Sequence, residues 1–188
     1  DLGINRILEN IRFSKVYAHF LPAHKKTLTK HYAFDELKLM KRMAITKELF
    51  KLATGSASRL TENDLQELET FYAKREETFF LKDMLISGVY YGIRKDSKFV
   101  SVAGTHVTSS LYKMACIGNV FTHPFHRGKG YATICTSKVV EELLHNHKDV
   151  ILNVDSKNIA ALKVYEKLGF REHCTFFEGT GKKHQKKF

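Results

Sequence analysis

Val120-Phe121-Thr122-His123-Pro124-Phe125-His126-Arg127-Gly128-Lys129-Gly130-Tyr131-Ala132-Thr133 is the stretch on which the reading of this chain turns. Val120 to Thr122 close a run that reads as a strand from about Lys113. Beyond the stretch, Ala132, Cys135, Val139 and Leu143 fall on one helical stripe. The stretch is therefore a strand-to-helix turn with glycines at positions 128 and 130. Glycines at such a junction let the backbone bend so that several N–H groups converge. The helix N-terminus adds partial positive charge, and Arg127 and Lys129 add full charges. This combination suits a phosphate or pyrophosphate. A plain Gly-rich connection with basic residues on its surface is the alternative. No G-x-x-x-x-G-K-S/T run is present, so the turn is not a Walker A loop. Thr133 stands where the third glycine of a dinucleotide G-x-G-x-x-G would be, so it is not that motif either.

Downstream, Val150 to Val154 reads as a buried strand, Asn158 to Leu168 as a short helix closed by Gly169, and Phe170 to Phe177 as a last strand. Asn158 and Tyr165 are spaced to share a helix face. Taken alone, they are a capping Asn and a Tyr at the edge of a core. Upstream, the strand from Lys113 to Thr122 is interrupted at Gly118-Asn119, where a bulge is expected. Val89 to Ile93 and Phe99 to His106 form a hairpin about Arg94-Lys95-Asp96-Ser97. Thr61-Glu62-Asn63-Asp64 is a capping-box start for a helix bearing Leu65, Leu68, Phe71 and Tyr72. A second helix carries Phe79, Phe80, Met84 and Leu85 and stops at Gly88. Leu52 to Ser58 is small and polar and marks a boundary. Before it, Ser14 to Leu21 alternates as a strand, and Pro22 opens a helix from Ala23 to Tyr32. Residues 35–46 are ambiguous between helix and strand. No internal repeat is present.

At 188 residues, 43% hydrophobic and 27% charged, the chain suits one domain, or one domain with a sizeable extra piece. It lacks any uninterrupted apolar run of membrane-spanning length, so no membrane partner is expected. Its first residues lack the basic-then-apolar order of a signal peptide, and without an initiator Met it reads as trimmed. Cys116, Cys135 and Cys174 form no C-x-x-C pair and read as free thiols in a reducing cytoplasm. The net charge is +11, but residues 57–181 carry only 16 basic against 15 acidic side chains. The excess sits in residues 1–56 and in the last seven residues, where Lys182, Lys183, Lys186 and Lys187 are expected to form a solvated, mobile tail. Charge at the two ends, with only Phe188 interleaved in the tail, places nucleic-acid binding last among the readings.

The turn and the later helix together resemble the GNAT superfamily of acyl-CoA-dependent N-acyltransferases. Arg127, Gly130 and Ala132 match its R/Q-x-x-G-x-G/A loop, and Asn158, Ala161, Tyr165 and Leu168-Gly169-Phe170 match its later N-x-x-A-x-x-x-Y…L-G-F motif. The order of elements from Ser58 to about Phe177 is similar too, so the resemblance covers about two thirds of the chain. The phrase from Val120 to Thr133 looks nearest to the glycine N-acyltransferase-like branch. The fold so implied is α/β, with a mixed, mostly antiparallel twisted sheet of about six or seven strands flanked by helices. Residues 1–56 are expected as a basic strand–helix–strand extension packed on the main domain, which spans 57–188 and ends in the Lys-rich tail.

The function implied by the resemblance is N-acetyl transfer from acetyl-CoA, as cosubstrate, to a primary amine, by direct attack in a ternary complex and with no metal. The cofactor-binding residues it implies are Val120, Phe121, Thr122, Arg127, Gly128, Lys129, Gly130, Tyr131, Ala132, Thr133 and Asn158. The strand before the loop would splay from its neighbour and admit the pantetheine arm beside Val120 and Thr122. A nearby N–H would polarise the thioester carbonyl. Tyr165 would protonate the leaving thiolate. Many relatives place a glutamate on that strand, near Met114 by count, yet Lys113 to Thr122 contains no acid. His106, His123, Glu76 and Glu77 are the other groups considered for the base, each explained as well by an ordinary surface role. Cys116 suits an inert buried thiol better than a nucleophile. A CoA-binding regulatory module without turnover is therefore the second reading. The acceptor amine is not legible.

Overall fold

The computed structural model describes residues 2–73 and 80–184. Its elements, in chain order, are helix α1 (Leu2–Asn10), β1 (Lys15–Phe20), α2 (Lys25–His31), β2 (Tyr32–Phe34), β3 (Lys38–Ile45), β4 (Ser58–Arg59), α3 (Leu65–Tyr72), α4 (Lys82–Ser87), β5 (Tyr90–Lys95), β6 (Lys98–Ser109), β7 (Met114–Thr122), α5 (Tyr131–Asn146), β8 (Asp149–Asp155), α6 (Ile159–Leu168) and β9 (Arg171–Lys183). The architecture is mixed α/β with mostly antiparallel strand pairing, as expected. The chain falls into two compact units: Asp1–Arg42 with Val154–Ile159 and Glu172–Phe188, and Met43–Asn153 with Ala160–Arg171.

In the second unit the pairs β4/β5, β5/β6 and β6/β7 are antiparallel, while β7/β8 is parallel. Helix α5 packs on β5, β6 and β7, and α3 and α4 pack on β6. Strand β6 is buried at every position from Phe99 to Thr105, which requires cover on both faces. One cluster joins Leu68, Phe71 and Tyr72 of α3 and Leu85 of α4 to Leu60, Tyr90, Phe99 and Val102. Full burial of a side chain such as Leu68 contributes about 1.5–3 kcal/mol. The stripe foreseen on α5 is buried at Cys135, Val139 and Leu143. Helix α3 starts from the foreseen capping box, the Thr61 N–H donating to Asp64 Oδ2 at 2.8 Å.

In the first unit β9 pairs antiparallel with β1, from Lys15↔Lys182 to Phe20↔Phe177, and with β2, from Tyr32↔Lys183 to Phe34↔Gly181. Leu8, Phe20, Leu28 and Tyr32 form the core there. Several bounds differ from those expected. The last strand runs to Lys183, so Lys182 and Lys183 are sheet residues and not part of a mobile tail. Their charge does not prevent pairing, because their backbone groups satisfy β1 and β2 and the Lys183 ammonium donates to the carbonyls of Leu8 (3.5 Å) and Ile11. The ambiguous segment 35–46 contains strand β3, and a helix, α1, precedes the expected strand–helix–strand piece. After Pro22 a 3-10 turn leads into α2, and Tyr32 already belongs to β2. The described residues contain nine strands, two of them only two or three residues long and too short to leave a pattern.

Candidate active site

The site begins where β7 loses a neighbour. From Met114 to Ile117 this strand is paired on both sides, with β6, where the register shifts between Thr105 and Val107, and, through Met114↔Asp149 to Ile117↔Leu152, with β8. The register with β8 ends there, although β7 continues to Thr122. Against β6 the pairs are Gly104↔Gly118 and then Val102↔Phe121. Two residues of β7, Asn119 and Val120, thus stand opposite one residue, Ala103, which is a bulge. Asn119 has φ +54°, in the left-handed region that Asn tolerates better than most residues. The bulge falls where Gly118-Asn119 was expected to interrupt the strand. The Asn119 carbonyl accepts from the Tyr72 hydroxyl at 2.5 Å, and its Nδ2 donates to the Tyr90 hydroxyl at 3.0 Å.

Beyond the bulge the strand end is tied down. The hydroxyls of Thr122 and Ser101 share a hydrogen bond at 2.8 Å, and the His123 N–H donates to the Val100 carbonyl at 2.9 Å. A 3-10 turn over Pro124–His126 follows, and Arg127 Nε donates back to the Thr122 carbonyl at 3.2 Å. Gly128 and Gly130 both have φ +77°, and Gly130 is the N-cap of α5. A Cβ at either position would meet nothing within 4 Å. These glycines are needed for their backbone conformation, and the space beside them is what a side chain would fill. The first turn of α5 contains no acid, so no side chain of that turn neutralises its positive end. Arg127 and Lys129 are exposed, Tyr131 and Ala132 half-buried and Thr133 buried. Lys95 Nζ lies 6.0 Å from the Tyr131 ring centroid, a third cation at the start of α5. Sequence reading missed Lys95, since only the return of β5 to this point brings it near. Left-handed glycines at a helix N-terminus with cations nearby suit an anion such as a phosphate.

Tyr165 is 6% exposed and packs edge-on against Phe170 at 5.9 Å. It belongs to the same compact unit as the loop. Asn158 falls in the other unit. It immediately precedes α6, which starts at Ile159. The turn from Asp155, whose Oδ1 accepts the Lys157 N–H at 2.8 Å, delays the helix to that point.

Among the described residues, the acids and imidazoles that could serve as a base are placed as follows. Glu76 and Glu77 lie outside the described residues. Asp64 and Glu67 are paired with Arg94 at 2.6 and 2.8 Å. His106 is exposed, and a Cβ at Gly118 would come within 2.9 Å of its Cβ. The Nδ1 atoms of His123 and His126 are buried without a hydrogen-bond partner among the described residues. Burial pushes the Cys135 thiol up to about 12, the Ser101 carbonyl opposing it weakly, so that thiol is inert. Cys116 is half-buried, its Sγ 3.7 Å from the Ile117 carbonyl.

The sequence model of the acetyltransferase (GNAT) family matches residues 55–170. No curated protein matches the chain. Among solved structures, an acetyltransferase from the GNAT family of Novosphingobium aromaticivorans aligns with TM-score 0.74 at 18% identity, over 97% of this chain and 81% of that one. A GCN5-related N-acetyltransferase of Kribbella flavida aligns with TM-score 0.67 at 15% identity, over 86% and 64% of the two chains. A spermidine N-acetyltransferase of Vibrio cholerae aligns with TM-score 0.51 at 15% identity, over 67% and 94%. At such identities these likenesses concern the fold.

Proposed function

The chain belongs to the GNAT family of acetyltransferases, and on that premise we propose that it transfers an acetyl group from acetyl-CoA to a primary amine by direct attack in a ternary complex. The carrying observation is that β7 outruns its register with β8 and leads, through a bulge, into a loop of left-handed glycines at the N-terminus of α5. When bound, acetyl-CoA supplies an activated acyl group as a thioester.

The residues divide the work by position. Arg127, Gly128, Lys129, Gly130, Tyr131, Ala132 and Thr133 would hold the pyrophosphate through N–H groups and charge. Val120, Phe121 and Thr122 would offer backbone to the pantetheine arm as a strand offers an edge, and Asn158 would bond its amides. Tyr165 would give a proton to the departing sulfur. Most of the rate gain would come from holding amine and acyl carbon together. Residues 1–56 would serve as an extension of the catalytic part of the chain, residues 57–188, whose last strand β9 pairs with β1 and β2.

The second reading, a CoA-binding module without turnover, draws on the lack of a carboxylate along β7 and on the pairing of Asp64 and Glu67 with Arg94. Two measurements separate the readings. Calorimetry should detect acetyl-CoA binding to the folded protein, and none at millimolar concentration would sink both. Thiol release should then be scored over a panel of small amines, spermidine, peptide N-termini and lysine peptides. Release with one class establishes transfer; binding without release across the panel favours the module.

A further inference from the structure

Within the second unit, the hairpin of β5 and β6 turns back beside the start of α5. Asp96 (φ +49°) and Ser97 (φ +60°) both lie in the left-handed region, as a two-residue turn that matches the strand twist requires. Lys95 and Lys98 close that turn as a registered pair. Residues directly opposite in an antiparallel pair share a face of the sheet, so both lysines project from one side. That side is the one α5 covers, since Lys95 Nζ lies 6.0 Å from the ring centroid of Tyr131, the first residue of α5. Like charges placed directly opposite each other destabilise a hairpin.

The cation next to them in the chain is neutralised. Arg94 pairs with Asp64 and Glu67 at 2.6 and 2.8 Å, and its guanidinium lies 3.8 Å from the Phe99 ring centroid. Lys95 and Lys98 are exposed and form no ion pair among the described residues, and the same holds for Arg127 and Lys129. Asp96 is the one acid in the turn, and the first turn of α5 adds none. This charge exceeds what one diphosphate matches. Arg127, Lys129 and the helix N-terminus already answer a diphosphate, which leaves Lys95 and Lys98 in surplus. Coenzyme A carries a further phosphate, a monoester on its ribose, and such a group holds about −1.5 to −2 charge at neutral pH.

We infer that Lys95 and Lys98 are specificity-determining residues that take the ribose phosphate of the cofactor, separately from the diphosphate at the loop. The inference rests on the acetyl-CoA reading above. An anion shared by the two ammonium groups offsets their repulsion. The Tyr131 ring holds Lys95 toward this end of the helix as a cation–π partner. The pair thus selects thioesters of coenzyme A over those of its dephospho form.

The test is calorimetry on the whole protein with acetyl-CoA and with acetyl-dephospho-CoA, which lacks only the ribose phosphate. The wild type should bind acetyl-CoA about tenfold more tightly at low salt, and the gap should narrow as salt is raised. Lys95→Gln combined with Lys98→Gln keeps much of both stems and removes both charges. It also removes a repulsion, so it should melt no lower than the wild type. An exposed ion pair is worth up to about fivefold in affinity, so this double variant should weaken acetyl-CoA binding by roughly tenfold and the dephospho form by less than about twofold. Lys148 serves as a control at the other end of β7, where its N–H donates to the Lys113 carbonyl at 2.8 Å. Lys148→Gln should change neither affinity. Equal wild-type affinity for the two ligands, a comparison that needs no variant, would overturn the inference while leaving the cofactor reading intact. So would a double variant that keeps the wild-type preference, or a loss of the same size in Lys148→Gln, the mark of net charge alone. No acetyl-CoA binding by the wild type overturns that reading itself.

Discussion

Tyr165 packs its ring against Phe170, so removal of its hydroxyl leaves that packing in place. General-acid assistance is typically worth roughly 100- to 10,000-fold, and a thiolate leaves readily, so the effect belongs toward or below the lower end. Tyr165→Phe should therefore lower kcat by up to about 100-fold while leaving acetyl-CoA affinity unchanged by calorimetry. Untouched turnover, or lost cofactor binding, would make Tyr165 a packing residue. Gly130→Val should act the other way. A β-branched residue resists φ +77°, and its side chain would enter the space beside the loop, so acetyl-CoA affinity should be lost first. Glycines and flanking cations announce themselves by type and spacing, which is why residues 127–133 could be picked from the sequence. Lys95 could not be assigned in this way, because it depends on Tyr131, a neighbour far away in the chain, and a lysine is not unusual at the end of a strand.

Helix α3 shows what an element owes to its first turn. Burial alone would raise the Asp64 carboxyl, but the Thr61 N–H and the Arg94 guanidinium outweigh it and hold the group below its ordinary value. The stabilising contribution of such a depressed carboxylate is fully present above its unfolded value, about 3.9, and fades as pH falls through the lower folded one. Asp64→Asn should thus lower stability at pH 7 by about 1 kcal/mol in urea unfolding, the usual worth of a cap. Its deficit against the wild type should shrink as pH drops below about 4. A deficit unchanged at pH 2.5 would show that charge has no part in it. The capping box was legible because its spacing is local, and so was the stripe on α5. The bounds of β9 were not, because Gly179, Gly181 and the lysines look like a tail until β1 and β2 supply partners. The start of α6 was misplaced by one residue, since Asn158 suits a cap as well as a first turn.

The first unit draws on both ends of the chain, and the segment from Lys182 onward contributes more to it than charge. It pairs with Lys15, Ala33 and Tyr32, and His184 donates its N–H to the His31 carbonyl at 2.9 Å. Deleting residues 182–188 removes several such bonds, each worth roughly 1 kcal/mol. At roughly 2–4 °C per kcal/mol for a chain of this size, Tm should drop by on the order of 5 °C or more. A melt identical to the full chain's would return those lysines to the role of a tail. Antiparallel pairing across such a separation leaves no local signature, so the architecture of the second unit was more readable than that of the first. The pairing of β1 with β9 also has a temporal side. A ribosome adds about 5–20 residues per second, so Lys15 emerges on the order of ten seconds or more before Lys182. For that interval the nascent strand shows Phe20 and an unmatched edge to everything in its surroundings. Slowing translation between the two should lengthen the nascent chain's exposure to holding chaperones, whereas a circular permutant that synthesises β9 next to β1 should shorten it.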